Sequence, residues 1–267
     1  MTKEIAIKSK KTTIYAYLKG DLVRPIVFLH GFTGSHRSWD EVVSYLDCSV
    51  VVLDLPGHGK STFNKLDETY SEIDWCNDFN DVLKFLNLVK ITLCGYSMGG
   101  RLGIAFASRY PEKIEKLILE SSSLGIKNPN LRKERYMQDL ILCREIEADL
   151  ATFVSKWENN NLFANQKERN IKGFLDQRKF RLLSSSTQLS KALRSFSPGN
   201  LGYMDKMFSK FKFPIKIING SDDLKYIFTS KEMVKVNNNV IHEIIQDSGH
   251  NTHLEQTTHF IESLRKF

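Results

Sequence analysis

The sequence predicts an α/β fold: a mostly parallel, doubly wound sheet flanked by helices, with an inserted helical lid. Three observations carry this. Short, largely apolar runs at 26–29, 50–53, 91–94, 114–119 and 215–219 alternate with helical patterns, as strands buried on both faces of a parallel sheet do. The residues suited to chemistry follow the carboxyl ends of those runs, where open α/β sheets bind ligands. Between 124 and 198 helical periodicity continues with its apolar spacing broken by charges, and no strand candidate occurs before Ile215. The chain therefore divides into a core, residues 1–123 and 199–267, and a lid, residues 124–198.

In order, Lys3 to Ile7 and Thr12 to Leu18 alternate apolar and polar residues, the pattern of an antiparallel hairpin at a sheet edge. The buried run at 26–29 ends in the glycine-bearing loop His30-Gly31-Phe32-Thr33-Gly34-Ser35, and a short helix follows at 39–46. The strand at 50–53 leads into Asp54-Leu55-Pro56-Gly57-His58-Gly59, where Pro and Gly force an irregular loop and His58 serves loop shape rather than catalysis. Ser71 caps a helix at 72–88 whose apolar face is Ile73, Phe79, Val82, Leu83, Phe85 and Leu86. A strand from Ile91, a helix to Arg109 and a strand at 114–119 complete the first part of the core. Lid helices are expected at 131–147, 150–157, 167–181 and 186–196, with Pro198-Gly199 marking the return to the sheet. Strands at 215–219 and 240–245 and a helix from Thr257 close the chain.

With 267 residues, 41% of them hydrophobic, the chain can bury a large core and fold alone. The lysine-rich start lacks the apolar stretch of a secretory signal and no run reaches membrane-span length, which predicts a cytoplasmic protein with no membrane partner. Four cysteines without a C-x-x-C pair read as reduced thiols. Most of the net charge of +7 is local, since residues 124–198 hold 14 Lys and Arg against 8 Asp and Glu. No basic run is interleaved with aromatics and no zinc-finger or RRM signature occurs, so a polyanionic small molecule fits better than nucleic acid.

The chemistry centres on Gly95-Tyr96-Ser97-Met98-Gly99, a G-x-S-x-G pattern between a β-branched run and a helical one. A sharp strand-to-helix turn lifts the Ser97 hydroxyl clear of the sheet, and the N–H of Met98, at the helix start, is an unpaired donor beside it. The N–H of Phe32, in the loop after the first buried strand, is the candidate second donor of an oxyanion hole. His250 alone among seven histidines follows the last strand after a glycine, which makes it the candidate base. His253 and His259, by the closing helix, read as surface residues. Asp222 and Asp223 are both candidate acids, with Asp223, three residues beyond Gly220, favoured. The order serine, acid, histidine is that of α/β-hydrolases and of neither major serine protease family.

These residues bring out a resemblance along most of the chain. Leu29-His30-Gly31-Phe32-Thr33-Gly34, Asp54-Leu55-Pro56-Gly57-His58-Gly59, Gly95-Tyr96-Ser97-Met98-Gly99-Gly100-Arg101, Glu120-Ser121-Ser122-Ser123, Glu134-Arg135, and Ser248-Gly249-His250-Asn251 with His253 and Glu255 resemble the 2-succinyl-6-hydroxy-2,4-cyclohexadiene-1-carboxylate synthase family of menaquinone biosynthesis, within the α/β-hydrolase superfamily. Tyr96, Arg101 and Arg135 are its family-specific marks. The resemblance implies a Ser97, His250 and Asp223 triad that acts in proton abstraction and eliminates pyruvate, with no metal or cofactor. It also implies a substrate with three carboxylates, for which guanidinium groups are suited partners. Arg101, Arg135 and Arg178 carry over as substrate-binding residues, with Tyr96 and Trp157 lining the same pocket. A carboxylesterase or carbon–carbon bond hydrolase would use the same triad and lid, and a non-catalytic receptor of this fold would not need all three residues.

Overall fold

The apolar runs become the strands of one sheet. The computed structural model describes residues 2–267. Its strands are β1 (Thr2–Lys8), β2 (Thr12–Lys19), β3 (Ile26–Leu29), β4 (Val50–Leu53), β5 (Thr62–Phe63), β6 (Ile91–Tyr96), β7 (Ile114–Glu120), β8 (Ile215–Gly220) and β9 (Val240–Ile245). Their order is β1-β2-β4-β3-β6-β7-β8-β9, with the short β5, which carries no sequence signal of its own, against β2. The opening hairpin is antiparallel, as is β2 against β4, and every pairing from β4 to β9 is parallel. β3 pairs with β4 on one side and β6 on the other, so the chain winds outward, returns, and winds the opposite way. The loops leaving β3 and β6 therefore part at the sheet's carboxyl edge and open a crevice there.

Helices cover both faces. The helices are α1 (Asp40–Ser44), α2 (Glu72–Phe85), α3 (Met98–Arg109), α4 (Pro129–Ala148), α5 (Leu150–Glu158), α6 (Gln166–Arg169), α7 (Ile171–Leu182), α8 (Ser186–Phe196), α9 (Asp205–Phe208), α10 (Leu224–Val236), α11 (Thr252–Glu255) and α12 (Thr257–Arg265). One core joins α2, α3 and α10 to the sheet through Trp75, Phe79, Leu102, Phe106 and Met233. Another packs Trp39, Val42, Phe260 and Leu264, from the α1 and α12 side, on the opposite face. A third lies within the helical segment between β7 and β8, where Cys143, Ile146, Phe153, Val154, Leu189 and Leu193 are buried together. No helix among the described residues is long and apolar enough to cross a membrane, and all four cysteines are free.

Several local expectations change. In α2 the buried stripe is Trp75, Phe79, Val82 and Leu83, at i, i+4, i+7 and i+8, while Ile73 and Phe85 face solvent. Ser71 does cap this helix, in a reciprocal box with Asp74. The expected helix at 167–181 is two, broken at Asn170, whose side chain accepts from the N–H of Gly173 at 2.8 Å and so starts α7 as an N-cap. The region at 39–46 opens with a 3₁₀ turn, His36–Trp39, before α1. His253 is not on the surface: it is buried in α11, stacked on Trp39 at 4.1 Å between ring centres, with Nδ1 2.7 Å from Glu120 Oε2. A carboxylate buried at the end of β7 draws it inward. His259 is exposed, as expected.

Candidate active site

Ser97 sits between β6 and α3 with φ 51° and ψ −106°, a conformation that costs an L-residue strain. Neighbours hold it there. Its N–H donates to Glu120 O at 2.8 Å, and its carbonyl accepts from Ser122 Oγ at 3.0 Å and from the Arg101 N–H at 3.2 Å. The flanking glycines are required by close approach: a Cβ on Gly95 would lie 2.6 Å from Gly100 N, and one on Gly99 2.4 Å from Leu29 O.

Two later loops meet this turn. His250 Nε2 lies 3.0 Å from Ser97 Oγ, and His250 Nδ1 lies 2.8 Å from Asp223 Oδ2. Both His250 and Asp223 are buried, and a neutral imidazole here donates from Nδ1 to the carboxylate and accepts from the serine at Nε2. Asp222 is turned away, with 44% of its side chain exposed and its carboxylate on Arg169. The rings of Tyr226, Tyr96 and Phe163 surround the imidazole at centre distances of 4.5, 5.4 and 6.1 Å.

Above these residues lies a cavity of about 470 Å³ between the sheet edge and the helical segment. Phe32, Tyr96, Ser97, Met98, Arg101, Arg135, Trp157 and His250 all line it. Met98 is the first residue of α3, so its N–H has no acceptor within the helix. Neither this N–H nor that of Phe32 donates to another group among the described residues. The Phe32 loop is set by His30, which binds Gly31 O through Nδ1 at 2.7 Å and accepts the Leu55 N–H at Nε2 at 2.9 Å. Burial lowers the His30 pKa to about 4, and burial together with the His30 charge lowers that of His58 to about 3. His58 packs edge-on against Phe32 and His30 and makes no bond to Ser97 or His250, which fits a loop-shaping role.

The cavity is cationic. Arg101 is only 6% exposed, its Nε has no partner, and it makes no salt bridge among the described residues. Burial lowers its pKa, as does the neighbouring Arg135 charge, while the Tyr226 hydroxyl and the Asp139 carboxylate work the other way. Arg135 is aimed by Asp139, whose two oxygens each accept from Nε at 3.0 Å, and Asp139 is held in turn by Ser197 Oγ at 2.7 Å. Arg178 departs from expectation. It binds Glu158 and the Ser155 hydroxyl and lines a separate surface groove, because Glu158, buried at the end of α5, draws it outward. Lys225 and Tyr226, in the first turn of α10, line the cavity and went unread in the sequence, as did Gln138, Asn160 and Asn161. Lys225 and Tyr226 follow Asp223 closely in the sequence, while nothing there ties Gln138, Asn160 or Asn161 to the site.

A model of the alpha/beta hydrolase fold matches residues 24–257. A Bacillus subtilis (strain 168) protein named "Putative 2-succinyl-6-hydroxy-2,4-cyclohexadiene-1-carboxylate synthase" is 33% identical over 246 residues, spanning 91% of this chain and 89% of that one. The 2-succinyl-6-hydroxy-2,4-cyclohexadiene-1-carboxylate synthase of Salmonella heidelberg (strain SL476) is 26% identical over 251 residues, 90% of this chain and 91% of its own. The structure of MenH from S. aureus superposes with a TM-score of 0.87 at 29% identity, covering 97% of each chain. With matches that run nearly end to end in sequence and in three dimensions, the chain belongs to the 2-succinyl-6-hydroxy-2,4-cyclohexadiene-1-carboxylate synthase family, within the α/β-hydrolase fold.

Proposed function

We propose that the protein is a lyase of menaquinone biosynthesis. It eliminates pyruvate from 2-succinyl-5-enolpyruvyl-6-hydroxy-3-cyclohexene-1-carboxylate to give 2-succinyl-6-hydroxy-2,4-cyclohexadiene-1-carboxylate. The names of its relatives support the pathway. The observation that carries the substrate class is Arg101, a buried guanidinium that makes no salt bridge among the described residues, in the cavity that holds Ser97 and His250. Burying an unpaired charge is costly, and an anionic ligand offsets that cost. Arg135, bonded to Asp139 through Nε, and Lys225 add cationic groups, and against the single Asp139 carboxylate the lining keeps a net positive charge that suits a molecule with several carboxylates.

Substrate and product differ by a second ring double bond and the lost enolpyruvyl group. His250 Nε2 takes the Ser97 hydroxyl proton as Oγ removes the hydrogen on ring carbon 2, which is acidic because it is allylic and adjacent to the succinyl carbonyl. The C–H electron pair forms the 2,3 double bond, the 3,4 pair shifts to 4,5, and the bond from carbon 5 to the enolpyruvyl oxygen breaks. The departing enolate gains a proton on its methylene carbon to become pyruvate, drawing on the proton held by His250. Asp223 fixes the imidazole tautomer and stabilises the imidazolium. Charge that builds on the succinyl carbonyl oxygen meets the N–H groups of Phe32 and Met98. The balance needs no acyl-enzyme, oxidant or cofactor.

The test is to supply this substrate and follow pyruvate release by the wild type and by Ser97→Ala. Release by the wild type and its loss in the variant are expected. A wild type that releases no pyruvate but hydrolyses neutral esters with an acyl-enzyme burst overturns the reading in favour of an esterase.

A further inference from the structure

The acid and the base stand on different loops, and one arginine of the helical segment touches a neighbour of each. Arg169 ends α6. Its Nη1 donates to Glu255 Oε2 at 2.7 Å, and its Nη2 donates to Asp222 Oδ2. The same Glu255 oxygen accepts the Gly249 N–H at 2.8 Å, so the carboxylate fixes the residue that precedes His250. Asp222 precedes Asp223, and its N–H donates to Ser248 O at 2.9 Å. The two loops also abut directly, since a Cβ on Gly220 would fall 2.2 Å from Gly249 O. A second tie comes from the same part of the segment, as Asn170 Nδ2 donates to Leu254 O at 2.9 Å.

We propose that Arg169 is a positioning residue, which from the helical segment holds the loops of Asp223 and His250 in register through Asp222 and Glu255. The inference rests on the reading that Ser97, His250 and Asp223 form one working set. Chemistry favours arginine in this place. The Glu255 side chain is only 2% exposed, so it needs a cation, and a planar guanidinium can offer separate N–H groups to two carboxylates where an ammonium is a single point charge. A bond on each side of the acid–base pair limits how far Asp223 and His250 can drift apart. The helical segment roofs the cavity, so Arg169, beside the weaker ties of Asn165 to Asp222 and Asn170 to Leu254, joins its seating on the core to the alignment of these residues beneath it.

The experiment reads Ser97 itself, so that its outcome does not depend on which substrate is native. A fluorophosphonate probe labels an activated serine by forming an Oγ–P bond with loss of fluoride, at a rate set by the alignment of serine, histidine and acid. Arg169→Gln is expected to slow labelling about tenfold or more, a misalignment effect well within the roughly 10²-fold that 1 Å can cost. Arg169→Lys is expected to fall between it and the wild type, and added guanidinium to speed labelling of Arg169→Ala. Because Arg169→Gln leaves Glu255 buried and unpaired, the double variant Arg169→Gln/Glu255→Gln is made as well. It is expected to melt near the wild type yet label slowly. Labelling of the folded double variant at the wild-type rate, or labelling of Arg169→Ala that guanidinium does not raise, overturns the proposal. Fast labelling of a wild type that releases no pyruvate overturns the lyase reading alone and leaves the Arg169 comparison standing.

Discussion

Ser97 Oγ and His250 Nε2 lie 3.0 Å apart across 153 positions of sequence. What closes that gap is the sheet. β6 and β9 are separated by β7 and β8, and every pairing among them is parallel, so their carboxyl ends emerge on one edge and the loops beyond them converge. Asp223 arrives from the end of β8, between the two, and binds the far side of the imidazole at 2.8 Å.

The two adjacent aspartates should separate cleanly in kinetics. Asp223 faces His250, whereas Asp222 faces Arg169 at the surface. Asp223→Asn removes the charge that stabilises the imidazolium and is expected to lower kcat by about 10²–10⁴ with little change in KM. Asp222→Asn keeps an oxygen for Arg169 and is expected to cost less than about fivefold, the scale of an exposed ion pair. Steady-state pyruvate release on both variants decides it, and equal losses would remove the distinction.

Arg101 is expected to show opposite effects on function and stability. Truncating a buried, ligand-facing charge typically costs about 2–5 kcal/mol in binding, so Arg101→Ala should lower kcat/KM for the trianion by roughly 30-fold to several thousandfold. Arg101→Lys should recover only part, because paired guanidinium hydrogen bonds to carboxylate are lost. Arg101→Met fills similar volume without an unpaired buried charge, and should stabilise the ligand-free protein by about 1 kcal/mol while abolishing turnover. Kinetics with the trianion and thermal melts of the free protein are the two measurements. A lower melting temperature for Arg101→Met would show that the guanidinium is satisfied in the free protein.

The sequence spoke clearly wherever one local pattern decided the outcome. Val50 to Leu53 are apolar at every position because both faces of β4 are covered. Ser97 and its glycines were legible because a strand-to-helix turn has a narrow choice of residues. The histidines were harder. His250 stands out by its place after β9, but His253 reads as a surface residue because its partner, Glu120, is 133 residues away. Arg178 is hidden for a related reason. Charge spacing on α7 cannot say that Glu158 of α5 will turn the arginine out of the cavity. Apart from its closeness to Asp223 nothing local marks Lys225 among 38 lysines and arginines, since its place follows from where α10 begins.

Lys225 is expected to act on binding alone, and weakly. It lines the cavity from an exposed position in the first turn of α10, so solvent screens its charge. Exposed ion pairs are worth about 0.2–1 kcal/mol, which predicts that Lys225→Gln raises KM up to about fivefold without changing kcat. The effect should shrink as salt is added, because the Debye length falls from about 10 Å at 0.1 M to about 3 Å at 1 M. A kcat loss that salt does not touch would place Lys225 in the chemical step instead.

Acid sensitivity should originate partly beneath the Phe32 loop. Burial lowers the pKa of His30 to about 4 and, with the charge of His30, that of His58 to about 3. A histidine whose folded pKa lies below its unfolded value of about 6.5 favours the fold only while neutral. Its contribution is therefore complete above pH 6.5 and is lost as pH falls through the window down to the folded value. Within that window the unfolded chain binds the extra proton, and each such histidine steepens the loss by about 1 kcal/mol per pH unit. His58→Gln removes one of the two and leaves His30 in place, so its melting temperature should fall less steeply than the wild type's between pH 6.5 and 4.5. Above pH 7 the two proteins should melt in parallel. Melts across this range test the sign directly, and a wild type no steeper than His58→Gln would mean that His58 takes up its proton without cost to the fold.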